Sequence, residues 1–407
     1  MRKNAVNKTL TPIDGGVTAP DGFSLYQTQA NLHRTGISAQ NDVALLFADR
    51  RYPVARVFTD CSLASADITQ TKTRLKIGKA QSVLLHTAPT LAAPEALKAS
   101  KQIALQVAEK TGCDYDDTII LSHGKLGGSY PFEQIASAVA RLGDKVKKRD
   151  LLSILHIQPQ AQNTFFHQAA YAFEFGAFPC KIGAAFCCTS STISAPSGFT
   201  CVLTTDVCIE GAMLQKALSV AVADTVALTD FGTEASPCDA VCILASGKAG
   251  NAKIDCADLE YKKFCDVLKR ALRAVCHLAL NIYHPNRRIL TCRVSGCPSI
   301  TAARAVVKSI ISSKCIQACF LCDEMDADRV VCTVGSAYDS VRIDKAKIRI
   351  VTEKGEMILF DLGRTSSFPM EKAKELLSCK EICFEICLND GNYRAHGQTA
   401  LFAFENL

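Results

Sequence analysis

The sequence lacks the long apolar and long charged runs that mark several classes of protein. No window approaches the roughly 18 consecutive apolar residues of a membrane span. The basic N-terminal segment, MRKNAVNKTLTPIDGG, has no apolar run of the roughly 7–15 residues that a secretory signal needs. The longest block of like charge is the short stretch at residues 145–149, too little for a nucleic-acid-binding tail. We therefore expect a cytoplasmic protein with neither a membrane nor a nucleic-acid partner.

The composition is that of an ordinary globular protein. Hydrophobic residues make up 48% and charged residues 21% of the 407 residues, and the net charge is +6. These values exclude disordered, collagen-like and coiled-coil chains. No period of about 20–50 residues recurs, so the sequence is not that of a repeat protein. The length predicts two or three domains, or one large α/β body with an insertion.

Cysteine is abundant, and its distribution is uneven. The chain has 21 cysteines, of which only Cys61 and Cys113 precede residue 180. In a cytoplasmic protein the thiols are expected to be reduced and to act as small buried hydrophobic side chains. The break in composition near residue 180 predicts an N-terminal half, residues 1–180, and a cysteine-rich C-terminal half, residues 181–407.

Apolar β-forming runs alternate with segments of helical period along the whole chain, which predicts an α/β fold. A turn is predicted at 49–53 between two strands, and the small and hydroxylic residues at 187–198 predict an extended loop. Predicted strands are 43–48, 54–59, 82–85, 118–122, 199–205, 239–245, 289–294, 329–334, 341–352 and 382–388. Predicted helices are 131–142, 211–223, 257–281, 299–313 and 370–378.

Two kinds of motif raise the question of a cofactor. Cys315, Cys319 and Cys322 have the spacing by which radical S-adenosylmethionine enzymes hold an iron–sulfur cluster, but in so cysteine-rich a sequence the spacing alone is weak evidence. The glycine-containing stretches at 122–128 and 246–251 each follow a predicted strand and match neither a P-loop nor a dinucleotide fingerprint. We read them as turns, and we expect no metal and no cofactor.

Short segments spread over nearly the whole chain carry a family resemblance. They are Gly15-Gly16-Val17-Thr18-Ala19-Pro20-Asp21-Gly22-Phe23, Asn41-Asp42-Val43-Ala44-Leu45-Leu46-Phe47-Ala48, Val57-Phe58-Thr59, Leu203-Thr204-Thr205-Asp206, Ala245-Ser246-Gly247 and Val294-Ser295-Gly296. In this order and spacing they resemble the ornithine acetyltransferase family, also called glutamate N-acetyltransferases. These bifunctional enzymes of arginine biosynthesis pass an acetyl group from N-acetylornithine to glutamate. The resemblance implies a layered α/β sandwich with mixed sheets.

The resemblance also implies where a site would lie. The family's nucleophile is a threonine that cleaves the chain before itself, and its register falls on Gly198, which has no hydroxyl group. Thr200, about 7 Å farther along a strand, is the candidate substitute. The family's oxyanion turn corresponds to His123 and Gly124. The substrate-binding positions correspond to Cys187 with its neighbour Cys188, to Gly198 itself and to Asp323.

The sequence thus predicts an ornithine acetyltransferase-like protein whose transferase and self-cleavage activities are lost or weakened. Two alternatives stay open. The first is a non-catalytic binding or regulatory protein, self-associated or paired with an active paralogue. The second is a hydrolase or acyltransferase with a replaced nucleophile, either Thr200 or a thiol of Cys187 or Cys188 beside His123. In each case the expected ligand is a small amino acid.

Overall fold

The structure is a computed structural model that describes residues 10–32, 41–75, 78–124, 126–147, 166–188, 198–231, 236–283, 287–322 and 324–401. The strands are β1 (Thr11–Ile13), β2 (Phe23–Thr28), β3 (Val43–Phe58), β4 (Lys79–His86), β5 (Thr118–Ser122), β6 (His167–Phe175), β7 (Phe178–Cys188), β8 (Phe199–Thr205), β9 (Thr229–Asp230), β10 (Ala240–Ala245), β11 (Ile289–Cys297), β12 (Lys347–Thr352), β13 (Gly355–Asp361), β14 (Arg364–Thr365), β15 (Glu381–Cys387) and β16 (Tyr393–Ala400). The helices are α1 (Ala66–Arg74), α2 (Pro94–Thr111), α3 (Phe132–Lys147), α4 (Gly211–Ala223), α5 (Leu259–Tyr283), α6 (Ile300–Ile311), α7 (Lys314–Leu321), α8 (Ala327–Gly335) and α9 (Met370–Leu377).

The chain divides into two compact units, residues 1–221 with 233–271 and residues 222–232 with 272–407. The predicted halves, 1–180 and 181–407, are defined differently, by the break in composition near residue 180. Their boundary lies within β7. The division into those halves stays a prediction.

The first unit contains one mixed sheet. Its strand order is β1-β6-β7-β8-β10-β3-β4-β5, and β2 also pairs with β3. The pairs β8–β10 and β4–β5 are parallel, whereas the other pairs are antiparallel. The 16-residue strand β3 is long enough to pair with β2 and β4 at its start and with β10 at its end.

Two apolar layers lie against the β2–β5 part of this sheet. On one face Leu45, Leu84 and Ile120 pack with residues of α2 and α3. On the other face Leu46, Val83 and Leu121 share a core with residues of α1, β7, β8 and β10. Alternation along each strand sends successive side chains into these two layers. The fold is therefore a layered α/β arrangement with mixed sheets, which confirms the predicted fold class.

The second unit is built on a mixed sheet of order β14-β13-β12-β15-β11-β16-β9. The pairs β11–β15 and β9–β16 are parallel. Helices α6, α8 and α9 pack their apolar residues, among them Val307, Val330 and Leu376, on a core that also contains Phe384 of β15. The strand β15 alternates between this core and a more exposed face, so the unit is another α/β layer.

Three local predictions are wrong. The predicted turn at 49–53 is the middle of β3, where the pairing with β4 shifts register before Tyr52 and Pro53, and such an irregularity tolerates proline. The apolar run at 329–334, predicted as a strand, lies in α8, because the Asp326 side chain caps the helix by accepting from Arg329 N at 3.0 Å. Of the strand predicted at 341–352, only Lys347–Thr352 is extended. Most of the loop predicted at 187–198 lies outside the described residues.

One stretch among the described residues, Gly211–Leu228, is long and apolar enough to cross a membrane by length and composition alone. It contains α4, in which Leu214, Ala217 and Leu218 are fully buried. Buried core helices of soluble proteins share this composition.

Candidate functional site

The structure brings together two of the predicted catalytic side chains, Thr200 and His123. Thr200 lies at the start of β8, opposite Cys187 of β7 and Ala240 of β10. Residues opposite each other across strands share a sheet face, so Thr200 points toward the layer that contains Cys187 and Ala240. His123 directly follows β5 and reaches the same layer, where its Nδ1 lies 3.1 Å from Thr200 Oγ1. Both side chains are buried.

The hydrogen bonds around Thr200 fix the direction of this contact. The Thr200 hydroxyl donates to the carbonyl oxygen of Cys238 at 3.1 Å, so it accepts from Nδ1–H of His123. Burial lowers the pKa of His123 to about 4, which keeps the imidazole neutral at neutral pH. Nε2 then carries the lone pair, and it has no hydrogen-bond partner among the described residues. In this arrangement His123 orients Thr200 rather than removing its proton.

Gly124 occupies a backbone conformation that suits glycine. Its φ is +132°, and a Cβ atom there would lie 3.1 Å from the carbonyl oxygen of Thr87. Any larger residue would therefore strain the turn that follows His123. The role of this turn as an oxyanion hole stays a prediction.

Gly198 lies in a crowded part of the site. A Cβ atom on Gly198 would lie 2.6 Å from Cβ and 2.7 Å from Oγ of Ser236, and 2.8 Å from Oδ1 of Asp239. The Asp239 carboxylate is held in place because it accepts from Phe199 N at 2.7 Å and from Ser236 N at 2.9 Å. The loop 236–239 thus fills the space that a side chain at position 198 would need.

Both thiol candidates are buried, and the Cys187 thiol is protonated. Cys187 donates to the Thr200 carbonyl oxygen at 3.9 Å, and Cys188 lies opposite Phe199. Burial, together with the neighbouring thiols of Cys188 and Cys238, raises the pKa of Cys187 well above its ordinary value. A nucleophilic cysteine needs the opposite shift, toward the thiolate. The Nδ1 atom of His123 is hydrogen-bonded to Thr200 and not to a thiol.

The remaining predicted positions, Asp323 and the three cysteines of the iron–sulfur spacing, add nothing to the described geometry of this site. Asp323 lies outside the described residues, and its predicted role in substrate binding stays a prediction. Cys315 and Cys319 lie on α7, and Cys322 is the residue that ends this helix. A helix spreads residues seven apart over about 10 Å, so the three thiols do not converge as ligands of one cluster would. The described residues contain no group of three or more metal-ligating side chains that could hold a metal ion.

A buried polar network lies next to this site, and the sequence patterns did not reveal it. Asp67 is fully buried in the first turn of α1, and it accepts from Ser100 Oγ at 2.7 Å and from Tyr130 OH at 2.8 Å. His86, also fully buried, places Nε2 3.1 Å from Asp67 Oδ2. The four residues are far apart in sequence and follow no spacing rule. The only local signal is the helix start, Ser65-Ala66-Asp67, in which Ser65 is the N-cap.

Asp67 stays ionised in spite of its burial. Burial by itself would raise its pKa, but the electrostatic attraction of His86 and the hydroxyl donor of Ser100 outweigh that effect and lower the pKa. His86 Nδ1 accepts from Ala88 N at 3.3 Å, so its proton is on Nε2, toward Asp67. The Nε2–Oδ2 contact is poorly aligned for a hydrogen bond and is mainly electrostatic.

Comparison with known proteins relates most of the chain to one family. The sequence model of the ArgJ family matches residues 28–403. The chain is 26% identical to the arginine biosynthesis bifunctional protein ArgJ of Symbiobacterium thermophilum, with 94% of each chain covered. It is also 26% identical to the glutamate N-acetyltransferase of Methanopyrus kandleri, covering 93% of this chain and 95% of that protein.

Solved structures of the same kind also match. The ornithine acetyltransferase of Mycobacterium tuberculosis, solved in complex with ornithine, is 21% identical, with a TM-score of 0.32 over 40% of this chain and 88% of that chain.

Proposed function

The chain belongs to the ArgJ family, and from that premise we propose that it is an ornithine acetyltransferase-like protein of arginine biosynthesis in which acetyl transfer and self-cleavage are lost or weakened. The observation that carries the proposal is the crowding at Gly198, where the family resemblance places the nucleophile. Position 198 has no hydroxyl group, and Ser236 and Asp239 leave no room for a side chain there. The loss therefore extends from the nucleophile to the space around it.

Thr200 is a poor substitute for the missing nucleophile. Self-cleavage requires its hydroxyl to attack the carbonyl carbon of Phe199, yet that hydroxyl donates to Cys238 instead. Thr200 also lies in a strand paired on both sides, a relaxed extended geometry that does not strain the preceding peptide bond. Without cleavage no α-amine is freed to act as the base.

One observation favours a second candidate, an acyltransferase or hydrolase that uses Thr200. The 3.1 Å contact between Thr200 Oγ1 and His123 Nδ1 has the length that a nucleophile and its general base require. This function needs the other tautomer of His123, in which Nδ1 accepts the Thr200 proton. Substitution T200S would retain such an activity, whereas T200V would abolish it.

We propose a small amino acid or its N-acetyl derivative as the ligand, bound without a cofactor in the cytoplasm. The substrate class follows from family membership, because a relative is a glutamate N-acetyltransferase. A protein that keeps this binding and lacks turnover would act as a regulatory partner, either self-associated or paired with an active paralogue.

The test separates cleavage from binding. Denaturing electrophoresis and intact-mass measurement of the purified full chain should give one species of 43.9 kDa. Two fragments, with Thr200 as the new N-terminal residue, would restore the transferase and contradict the proposal. A thermal-shift series with N-acetylornithine, ornithine, glutamate and acetyl-CoA then tests binding, because a ligand of the folded state raises the melting temperature. No shift with any of them would remove the case for an arginine-pathway ligand.

A further inference from the structure

The Asp67–His86 pair buries a carboxylate and an imidazole in the core, where both lose their hydration. Removing two charged or polar groups from water carries a large desolvation penalty, and a core that has apolar side chains of similar size in their place is often at least as stable. A buried pair of this kind is best explained by the geometry that it fixes. The elements that meet at Asp67 are α1, α2, the end of β4 and the segment before α3, which supply Asp67, Ser100, His86 and Tyr130.

His86 is held through both ring nitrogens. Nε2 faces Asp67 Oδ2, and Nδ1 accepts from the main chain of Ala88. The imidazole therefore ties the chain segment 86–88 to the buried carboxylate. Because Nδ1 is already occupied by an N–H donor, His86 cannot take a proton from the nearby Ser122, and these three residues do not form a serine triad.

The segment after β4 in turn supports the turn that begins at His123. The His86 carbonyl oxygen accepts from His123 N at 3.0 Å, and the Pro89 carbonyl oxygen accepts from Gly127 N at 3.0 Å. The Thr87 carbonyl oxygen lies so close to Gly124 that a Cβ atom would meet it at 3.1 Å. Three contacts thus hold His123, Gly124 and Gly127 against the segment 86–89.

We propose that Asp67 and His86 are positioning residues for the candidate site: they hold the main chain of His123 and Gly124 so that the His123 imidazole stays against Thr200. Asp67 orients His86, His86 orients the segment 86–89, and that segment fixes the main chain of His123. The proposal concerns the same site as the proposed function, but its readout needs neither ligand nor turnover. A failure of one is therefore distinguishable from a failure of the other.

The experiment follows the imidazole resonances of the ¹⁵N-labelled full chain, with the His123 signals assigned from H123Q. In the wild-type protein the Nδ1 proton of His123 should be protected from solvent exchange by its bond to Thr200. In D67N this proton should exchange at least about tenfold faster, because the turn opens more often. The midpoint of the His123 titration should also rise from about 4 toward its ordinary value.

A matched pair at position 86 tests the same link. Glutamine keeps an N–H group for Asp67 and leucine does not, so H86Q should preserve the His123 signals, whereas H86L should reproduce D67N. D117N is the control for general destabilisation. Asp117 is as buried as Asp67 but pairs with Arg51 at 2.9 Å, and its substitution should lower the melting temperature without moving the His123 signals.

The decisive comparison is between stability and the His123 signals. If D67N and H86L lower the melting temperature as D117N does and leave the exchange rate and titration of His123 unchanged, the pair is structural only and the proposal is overturned. Should both variants fail to fold, Y130F, which removes a single hydroxyl donor from Asp67, provides the same test. It should accelerate exchange of the His123 proton in the same direction to a smaller extent, and an unchanged rate would overturn the proposal.

Discussion

A side chain added at Gly198 should destabilise the protein without creating a nucleophile. In G198A the new Cβ atom would meet Ser236 at 2.6–2.7 Å and Asp239 at 2.8 Å, distances at which the loop must move. Overpacking of this kind costs about 1–3 kcal/mol. Displacement of Asp239 would also weaken its bonds from Phe199 N and Ser236 N, at about 1 kcal/mol each.

The expected loss is therefore about 3–5 kcal/mol of unfolding free energy, a fall of roughly 6–20 °C in the melting temperature of a unit of this size. Thermal unfolding followed by circular dichroism measures it. The matched control is G128A, because a Cβ atom on Gly128 meets nothing within 4 Å. If G198A has the same melting temperature as G128A and the wild type, the loop 236–239 is not packed against position 198. Cleavage of the chain in G198T would refute the argument more directly, since it would show that the position still accommodates a working nucleophile.

Two further predictions concern protonation and thiol access. The pKa of His123 is about 4 in the folded state and roughly 6.5 in the unfolded chain, so the unfolded chain binds the extra proton first as the pH falls. The free energy of unfolding should therefore fall between pH 6.5 and pH 4, by up to about 3 kcal/mol. In H123Q this pH dependence of the free energy of unfolding should be flatter. A profile with the same slope in H123Q would contradict the assignment. In native thiol labelling read by peptide mass spectrometry, exposed Cys322 should react at once, whereas buried Cys187 and Cys238 should react only on unfolding. Rapid labelling of Cys187 would show that the apolar layer around it is accessible to solvent.

The sequence patterns were most informative where hydrophobic periodicity dominates. The alternation of strands and helices predicted the layered α/β class, and the strand at 118–122 has the predicted bounds. Periodicity failed at 329–334, where a β-like run of valines lies in α8 behind an Asp326 cap. It failed again at 49–53, because strand pairing before and after this stretch keeps β3 extended through residues that are typical of a turn.

The candidate site was predictable only where the resemblance supplied a register. That register named His123 and Thr200, and the structure places them in contact. It could not show that Gly198 is crowded, because Ser236 and Asp239 come from a distant loop. The buried pair of Asp67 and His86 follows no spacing rule, since tertiary packing alone brings α1 and β4 together.

The long strand β3 has a consequence for any cut in this chain. Strands β7 and β8, which precede and follow residues 189–197, pair over seven residues. In the same way β3, which precedes this stretch, pairs with β10, which follows it. Cleavage of the chain between residues 189 and 197 would therefore leave two pieces whose strands pair with one another in the same sheet. The sheet of the first unit would take strands from both pieces, so each piece would need the other to complete that sheet. Separately expressed pieces should accordingly recover the fold only when they are produced together, and size measured under native conditions would report the same particle before and after the cut.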